Sequence, residues 1–102
     1  MTGKTVSAAA AILAAFLATT AQAQVTIDAS KITCEQFVFT KVAPVRSIAL
    51  WLSGYYSAKK GTTAIDLQAF EQNAQKLERF CKLEKNLKTP VMQAVEQALG
   101  GK

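Results

Sequence analysis

Two glutamates and two cysteines are the side chains of this sequence whose types and spacing are suited to chemistry. Glu71 and Glu78 are seven positions apart, two turns on a helix, so their carboxylates could lie on one face as a weak candidate for an acid–base pair. The sequence has no histidine, so Ser-His, Cys-His and His-metal sites are all excluded. It also has neither a Gly-rich phosphate loop nor a nucleophile elbow. Because this glutamate spacing is common on solvated helices, we expect no enzymatic activity and no cofactor.

The two cysteines, Cys34 and Cys81, most simply form a disulfide in an oxidising compartment. With two cysteines only one intramolecular pairing exists, and it closes a loop of about 48 residues, which contributes roughly 4 kcal/mol to stability. The alternative is a metal-binding or catalytic thiol. The sequence has no CxxC motif and no histidine, so we favour the disulfide and predict no metal site.

The N-terminal 23 residues have the pattern of a cleavable secretory signal. Lys4 provides the positive charge, an apolar run follows from Val6 to Ala18, and Ala21-Gln22-Ala23 is a small-x-small cleavage site. The apolar run is shorter than the roughly 20 residues that span a bilayer, which disfavours the alternative of an uncleaved anchor. We therefore predict a signal peptide over 1–23 and a periplasmic mature domain over 24–102, without a membrane anchor after cleavage.

The charge pattern argues against nucleic-acid binding. The whole chain carries a formal charge of +5, which becomes about +4 when Lys4 is removed with the signal. Its basic residues are scattered, and the densest run, from Arg79 to Lys88, also contains Glu84. A mixed run of this kind is typical of a solvated helix face, whereas a nucleic-acid site needs a denser basic patch with aromatic stacking platforms.

The mature part reads as four helices. Thr33 is a good cap for a helix beginning at Cys34, and Pro44 suits the first position of a second helix that runs to about Lys60. Asp66 is a good cap for a third helix from Leu67 to about Lys85. The fourth has Pro90 at its first position and ends at Gly100-Gly101. The predicted fold is therefore all-α: a small four-helix domain closed by one disulfide.

Two of these helices have distinct apolar patterns. The second has an apolar arc of about 160°, wider than a surface helix needs, formed by Val45, Ile48, Ala49, Trp51, Leu52, Tyr55 and Tyr56. We favour a central helix packed on two sides; the alternative is that part of the arc faces a partner. The third has one apolar stripe, formed by Leu67, Phe70, Ala74, Leu77 and Cys81, which points Cys81 into the core.

Three short segments occur in an order and spacing that resemble a known family. They are Ile32–Phe37 (ITCEQF), Ile48–Tyr55 (IALWLSGY), and the region of Cys81 followed by Asn86–Thr89. Together they resemble the HdeA/HdeB family of periplasmic acid-stress chaperones, over about Ile32 to Leu99. The resemblance implies an all-α fold held by a Cys34–Cys81 disulfide and a homodimer at neutral pH.

The same resemblance implies an ATP-independent chaperone that loosens in acid and binds unfolding or acid-denatured periplasmic proteins. The client-binding residues that it implies are apolar: Phe37, Phe39, Trp51, Leu52, Tyr55 and Tyr56. The alternative function is a periplasmic module that stays folded and binds one specific partner through the surface between Trp51 and Tyr56.

The charges of the chain are compatible with an acid transition. Protonating the seven carboxylates of the mature part raises its charge from about +4 to about +11, and the resulting repulsion opposes the compact state. A carboxylate whose folded-state pKa is lowered also loses its stabilising effect as the pH falls through that value. Without histidine, we expect the transition near the ordinary carboxylate range of about pH 4.

Overall fold

The structure, a computed structural model, describes residues 25–101. Four α-helices make up most of this part: α1 (Cys34–Val38), α2 (Val45–Lys59), α3 (Leu67–Lys82) and α4 (Val91–Leu99). One 3₁₀ turn, Ala29–Lys31, precedes α1, a second, Glu84–Asn86, lies between α3 and α4, and residues 25–101 contain no β-strand. The predicted all-α class is confirmed. The predicted signal peptide lies outside the described residues.

Helices α1 and α3 begin where their capping residues predict. Thr33 and Gln36 form a reciprocal capping box at α1: the Thr33 hydroxyl accepts from the Gln36 N–H at 3.2 Å, and the Gln36 side chain accepts from the Thr33 N–H at 3.0 Å. The Asp66 carboxylate accepts from the Ala69 N–H at 3.0 Å and caps α3. Both caps satisfy N–H groups that a helix leaves without internal partners.

Three helix boundaries differ from the prediction. Pro44 and Pro90 each stand one position before the first helical residue, with extended ψ values of 139° and 135°. Helix α3 ends at Lys82 rather than near Lys85, because Leu83 has extended dihedrals and a 3₁₀ turn follows. The predicted ends near Lys60 and at Gly100 are confirmed: α2 ends at Lys59, and Gly61 and Gly100 adopt the positive φ that glycine tolerates best.

Backbone hydrogen bonds join α1 to the segment before α4. The Cys34 N–H donates to the Thr89 carbonyl at 2.8 Å, the Glu35 N–H to the Leu87 carbonyl at 2.9 Å, and the Val91 N–H to the Ile32 carbonyl at 2.7 Å. A five-residue helix is too short to be stable alone. These bonds fix α1 against the C-terminal half of the molecule.

The core surrounds the disulfide between Cys34 of α1 and Cys81 of α3, whose Cα atoms are 4.8 Å apart. Both cysteines are fully buried, as is Phe37, and Val91 and Val95 of α4 pack into the same cluster. The predicted disulfide is therefore confirmed. One member of the predicted α3 stripe is wrong: Leu67 is 68% exposed, because it is the first residue of the helix and lies beyond the core.

Candidate functional site

Helix α2 has a buried inner face and an exposed outer face, and both are apolar. Ile48, Ala49, Leu52 and Tyr56 form the buried inner face. The outer face, a name we keep for six exposed residues, consists of Ser47, Leu50, Trp51, Gly54, Tyr55 and Ala58. The expectation of a helix packed on two sides is therefore wrong, since the core contacts the inner face alone.

An aromatic row crosses the outer face. The Trp51 and Tyr55 rings are stacked, with centroids 5.2 Å apart and planes inclined by 14°. The Lys59 ammonium continues the row at 5.4 Å from the centre of the Tyr55 ring, within the range of a cation–π contact. Positions 51, 55 and 59 lie one above the other on a helix. The row therefore presents two amphipathic rings and one charge to the surroundings.

Three of the six predicted client-binding residues are exposed in the folded protein. Trp51 is 49% exposed and Tyr55 is 37% exposed, both on the outer face. Phe39 is 53% exposed at the end of α1, where the backbone leaves the helix. These three side chains are accessible without any unfolding.

The other three predicted residues are buried. Phe37 is fully buried beside the disulfide, and Leu52 and Tyr56 belong to the inner face of α2. They become accessible only if α2 or α1 leaves the core. A role in client binding remains a prediction for all six residues.

Sequence reasoning missed further exposed apolar residues near this surface. Leu50 is 45% exposed on the outer face, and Ile65 is 56% exposed in the segment that follows α2. A groove lined by Gly54, Ala58 and Ile65 joins the outer face to that segment. On the helical wheel of α2, Leu50 lies among the polar positions, outside the predicted apolar arc. That position is the signal in the sequence that this side of α2 also has apolar surface.

Polar contacts attach α2 to its neighbours near both of its ends. At the N-terminal end, the Arg46 guanidinium lies 2.7 Å from the Glu71 carboxylate of α3 and 5.3 Å from the centre of the Phe70 ring. Towards the C-terminal end, the Tyr56 hydroxyl donates to the Met92 carbonyl at 3.2 Å. Burial, and next the negative charge of Glu96, raise the pKa of Tyr56 above its usual value.

The described residues show few features of a catalytic or metal-binding site. Glu71 and Glu78 both line a groove between α2 and α3, but the Glu71 carboxylate pairs with Arg46. A cavity of about 30 Å³ between α2, α3 and α4, bordered by Leu52 and Leu77, is large enough for about one water molecule. Residues 25–101 contain no cluster of three potential metal ligands. Across the same range, no helix combines the length and apolar character needed to cross a membrane.

The positive charge of the described protein is concentrated around α2. Residues 36–65 contain four basic residues and no acidic one: Lys41, Arg46, Lys59 and Lys60. The rest of the described chain, 25–35 and 66–101, has six basic and seven acidic residues, for a net charge of −1. Two of the four cations have carboxylate partners, Lys41 with Glu35 at 3.6 Å and Arg46 with Glu71.

Comparison with known proteins gives one result. A model of the HdeA/HdeB family matches residues 4–89, which is 86 of the 102 residues. The match includes both cysteines, helices α1 to α3 and the outer face of α2, and it ends just before α4. No curated protein and no solved structure matched significantly.

Proposed function

Because the chain belongs to the HdeA/HdeB family, known for periplasmic acid-stress chaperones, we propose that it is an ATP-independent chaperone that loosens at low pH. In this proposal the mature protein, without its signal peptide, is a periplasmic homodimer at neutral pH. In acid it binds unfolding proteins through apolar surface and keeps them in solution. The function requires neither catalysis nor a cofactor.

The observation that carries this proposal is the pair of apolar faces on α2. The outer face already exposes Trp51 and Tyr55, while the inner face holds Leu52 and Tyr56 against the core. Release of α2 would add the inner face to the exposed surface and roughly double its apolar width. Unfolded proteins present scattered apolar segments, so a broad apolar surface without specific polar contacts suits varied clients.

Acid weakens the attachment of α2 through charge. Protonation of Glu71 removes the partner of Arg46, and protonation of Glu35 removes the partner of Lys41. Each exposed ion pair contributes only about 0–1 kcal/mol. The larger effect is collective, because the four basic residues around α2 then repel one another and the rest of a chain that has become uniformly positive.

The disulfide limits how far the chain opens. Helix α2 lies inside the loop closed by Cys34 and Cys81, which are 47 positions apart, whereas α1 and α3 carry the cysteines themselves. Loosening can therefore free α2 while α1 and α3 stay covalently joined. A denatured state restricted in this way has less conformational entropy to lose on refolding at neutral pH.

An aggregation assay with several unrelated client proteins tests the proposal. We expect suppression of client aggregation below about pH 4, where carboxylates titrate, and none at pH 7. In acid the protein should also lose near-UV circular dichroism and bind a dye for apolar surface while retaining much helix. Loosening in acid without client protection would contradict the proposal.

Two matched leucines test whether α2 supplies the binding surface. Leu50, on the outer face, is 45% exposed, and Leu83, after α3, is 50% exposed. We expect Leu50→Ala and Trp51→Ala to weaken client protection in acid, and Leu83→Ala to leave it nearly unchanged. Equal loss from Leu50→Ala and Leu83→Ala would remove the special role of α2.

A second candidate function is a module that stays folded and binds one partner. It is favoured by the exposure of Phe39, Trp51 and Tyr55 in the folded state, before any loosening. This function predicts retained near-UV circular dichroism and no dye binding down to about pH 2, well below the carboxylate range. The same acid titration therefore separates the two candidates.

A further inference from the structure

A basic residue occurs at every third position along the end of α3 and the turn that follows it. The five positions, which we call the basic row, are Lys76, Arg79, Lys82, Lys85 and Lys88. All five residues are exposed. Residues 66–101 contain five basic and five acidic residues, and every basic one belongs to the row, whereas only two of the carboxylates lie within 76–88. Positive charge is therefore concentrated here, within a range of the chain that is neutral overall.

Helix geometry places the first three members of the basic row side by side on α3. Residues three positions apart are neighbours on a helix surface, with about 5–6 Å between their Cβ atoms, and successive ones form a ridge. Leu77 and Cys81 are buried, and Arg79 lies on the opposite side of the helix from them. Lys76 and Lys82 adjoin Arg79 on that ridge. These three cations therefore form one continuous exposed surface.

The turn after α3 continues the basic row on a fixed backbone. The 3₁₀ turn Glu84–Asn86 has three residues per turn, so Lys85 and Lys88 project towards similar sides. Asn86 is buried, and its side-chain amide donates to the Phe80 carbonyl at 2.9 Å. This bond attaches the turn to the end of α3. All five cations are thus presented by backbone that is ordered in the folded protein.

The described chain supplies no carboxylate partner for the basic row. Both ion pairs of residues 25–101 involve other cations. Arg79 and Lys82 lie in the last turn of α3, where the helix dipole favours positive charge. That effect falls off within one turn, so it does not account for Lys76, Lys85 or Lys88. Like charges at this spacing repel one another, and an anion from outside the chain would relieve the repulsion.

We propose that the basic row binds a flexible linear polyanion with a phosphate on every unit, of the inorganic polyphosphate type. A single phosphate ion would be held weakly, because each cation is exposed to water. A chain gains from all five cations, since each bound unit holds the next at a high effective concentration. Arg79 offers forked donors to phosphate oxygens, and the lysines act as point charges. This binding involves no residue of α2 and does not depend on the chaperone function.

The surroundings of the basic row favour a hydrated polymer over a membrane or a nucleic acid. Neighbouring exposed positions of α3 are the amides Gln68, Gln72 and Gln75, which suit a polar ligand and its water. Within 76–88, Leu83 is the one large apolar residue that is exposed. Membrane docking needs a broad apolar face, and single-stranded nucleic acids need exposed aromatic rings for stacking. Neither feature accompanies the row.

A salt titration of polyphosphate binding at pH 7 tests the proposal, with the full mature protein and fluorescence anisotropy of end-labelled polyphosphate. With five phosphate contacts, the logarithm of the binding constant should fall against the logarithm of salt concentration with a slope of about −3.5. The affinity should therefore drop roughly 100-fold between about 50 and 200 mM salt. Orthophosphate at the same concentration of phosphate groups should not compete.

Matched charge variants locate the contact. Lys76→Gln with Arg79→Gln should flatten the slope to about −2.1, because three contacts remain. Lys59→Gln with Lys60→Gln makes the same change in charge at exposed positions outside the row, and should leave the slope near about −3.5. Circular dichroism at pH 7 should show that both variants are folded.

Several results would overturn the proposal. They are an absence of polyphosphate binding, a binding constant that does not depend on salt, and equal flattening of the slope in the two variants. Equally tight binding of soluble polyglutamate would show that the row accepts any acidic chain rather than phosphate. Binding to phosphatidylglycerol vesicles but not to polyphosphate would assign the row to a membrane surface instead.

Discussion

Helices α2 and α3 are nearly equal in length, yet they are built for different surroundings. Helix α3 separates a buried stripe with Phe70, Leu77 and Cys81 from an outer surface of charged and amide side chains. Helix α2 is apolar on both faces and has no acidic residue. A covalent bond holds α3 to α1, whereas α2 is held by packing, one ion pair and one side-chain hydrogen bond.

This difference indicates that two parts of this small domain have different roles. The disulfide-linked half, formed by α1, α3 and α4, has the features of a stable scaffold in water. Helix α2 exposes Leu50, Trp51 and Tyr55, and an exposed apolar patch of this kind is typical of an interaction surface. Four variants test this difference between the scaffold and α2, from the largest expected effect to the smallest.

The disulfide should be the largest single contribution to stability. Cys34→Ser with Cys81→Ser should lower the free energy of unfolding by about 4 kcal/mol, because the unfolded chain regains the freedom of the closed loop. Urea denaturation followed by circular dichroism measures the change, with reduced wild-type protein as the control. Unchanged stability would show that packing alone maintains the scaffold.

The two faces of α2 should differ strongly when the same residue type is truncated. Leu52→Ala on the inner face should lower the free energy of unfolding by about 3 kcal/mol, since it enlarges a cavity in the core. Leu50→Ala on the outer face should change it by less than about 0.5 kcal/mol. Similar losses from both leucines would mean that the outer face is covered in the protein as purified.

The Tyr56 hydroxyl should contribute a smaller and pH-dependent amount. Tyr56→Phe removes the hydrogen bond to the Met92 carbonyl and should cost about 1 kcal/mol at pH 7. Because the pKa of Tyr56 is raised in the folded protein, its contribution is complete below the unfolded pKa of about 10 and is lost as the pH rises through the folded value. Thermal unfolding measured from pH 7 upward compares the two proteins, and the difference in their stabilities should narrow once the pH exceeds about 10.

The ion pair of α2 should give the smallest effect. Glu71→Gln should destabilise the protein by about 0.5 kcal/mol at pH 7, because the pair with Arg46 is about half exposed. The difference from wild type should shrink in about 1 M salt, which screens an exposed ion pair. Glu78→Gln is the control, since residues 25–101 show no ion pair for Glu78. A difference from wild type that persists in about 1 M salt would show that Glu71 acts through packing rather than charge.

Local signals made much of the fold predictable from the sequence. Thr33 and Asp66 satisfy helix N–H groups with their own side chains, so the cap positions depend on neighbouring residues alone. The disulfide was predictable because two cysteines allow one pairing. The division of α2 into two faces was not, because a helical wheel gives the width of an apolar arc but not which part other helices cover. Trp51 and Leu52 are adjacent and similarly apolar, and tertiary packing alone makes one exposed and the other buried.

The hydrogen bonds that hold α1 have acceptors that are synthesised long after α1 itself. The Glu35 N–H bonds to Leu87, which is 52 positions further along the chain, and Cys34 bonds to Thr89. A nascent chain grows from its N-terminus, so α1 lacks these acceptors until residues 87–89 have been made. Docking of α1 is thereby postponed until more than 50 further residues have been added. A segment that cannot dock before that point stays extended enough to pass through a narrow channel in the meantime.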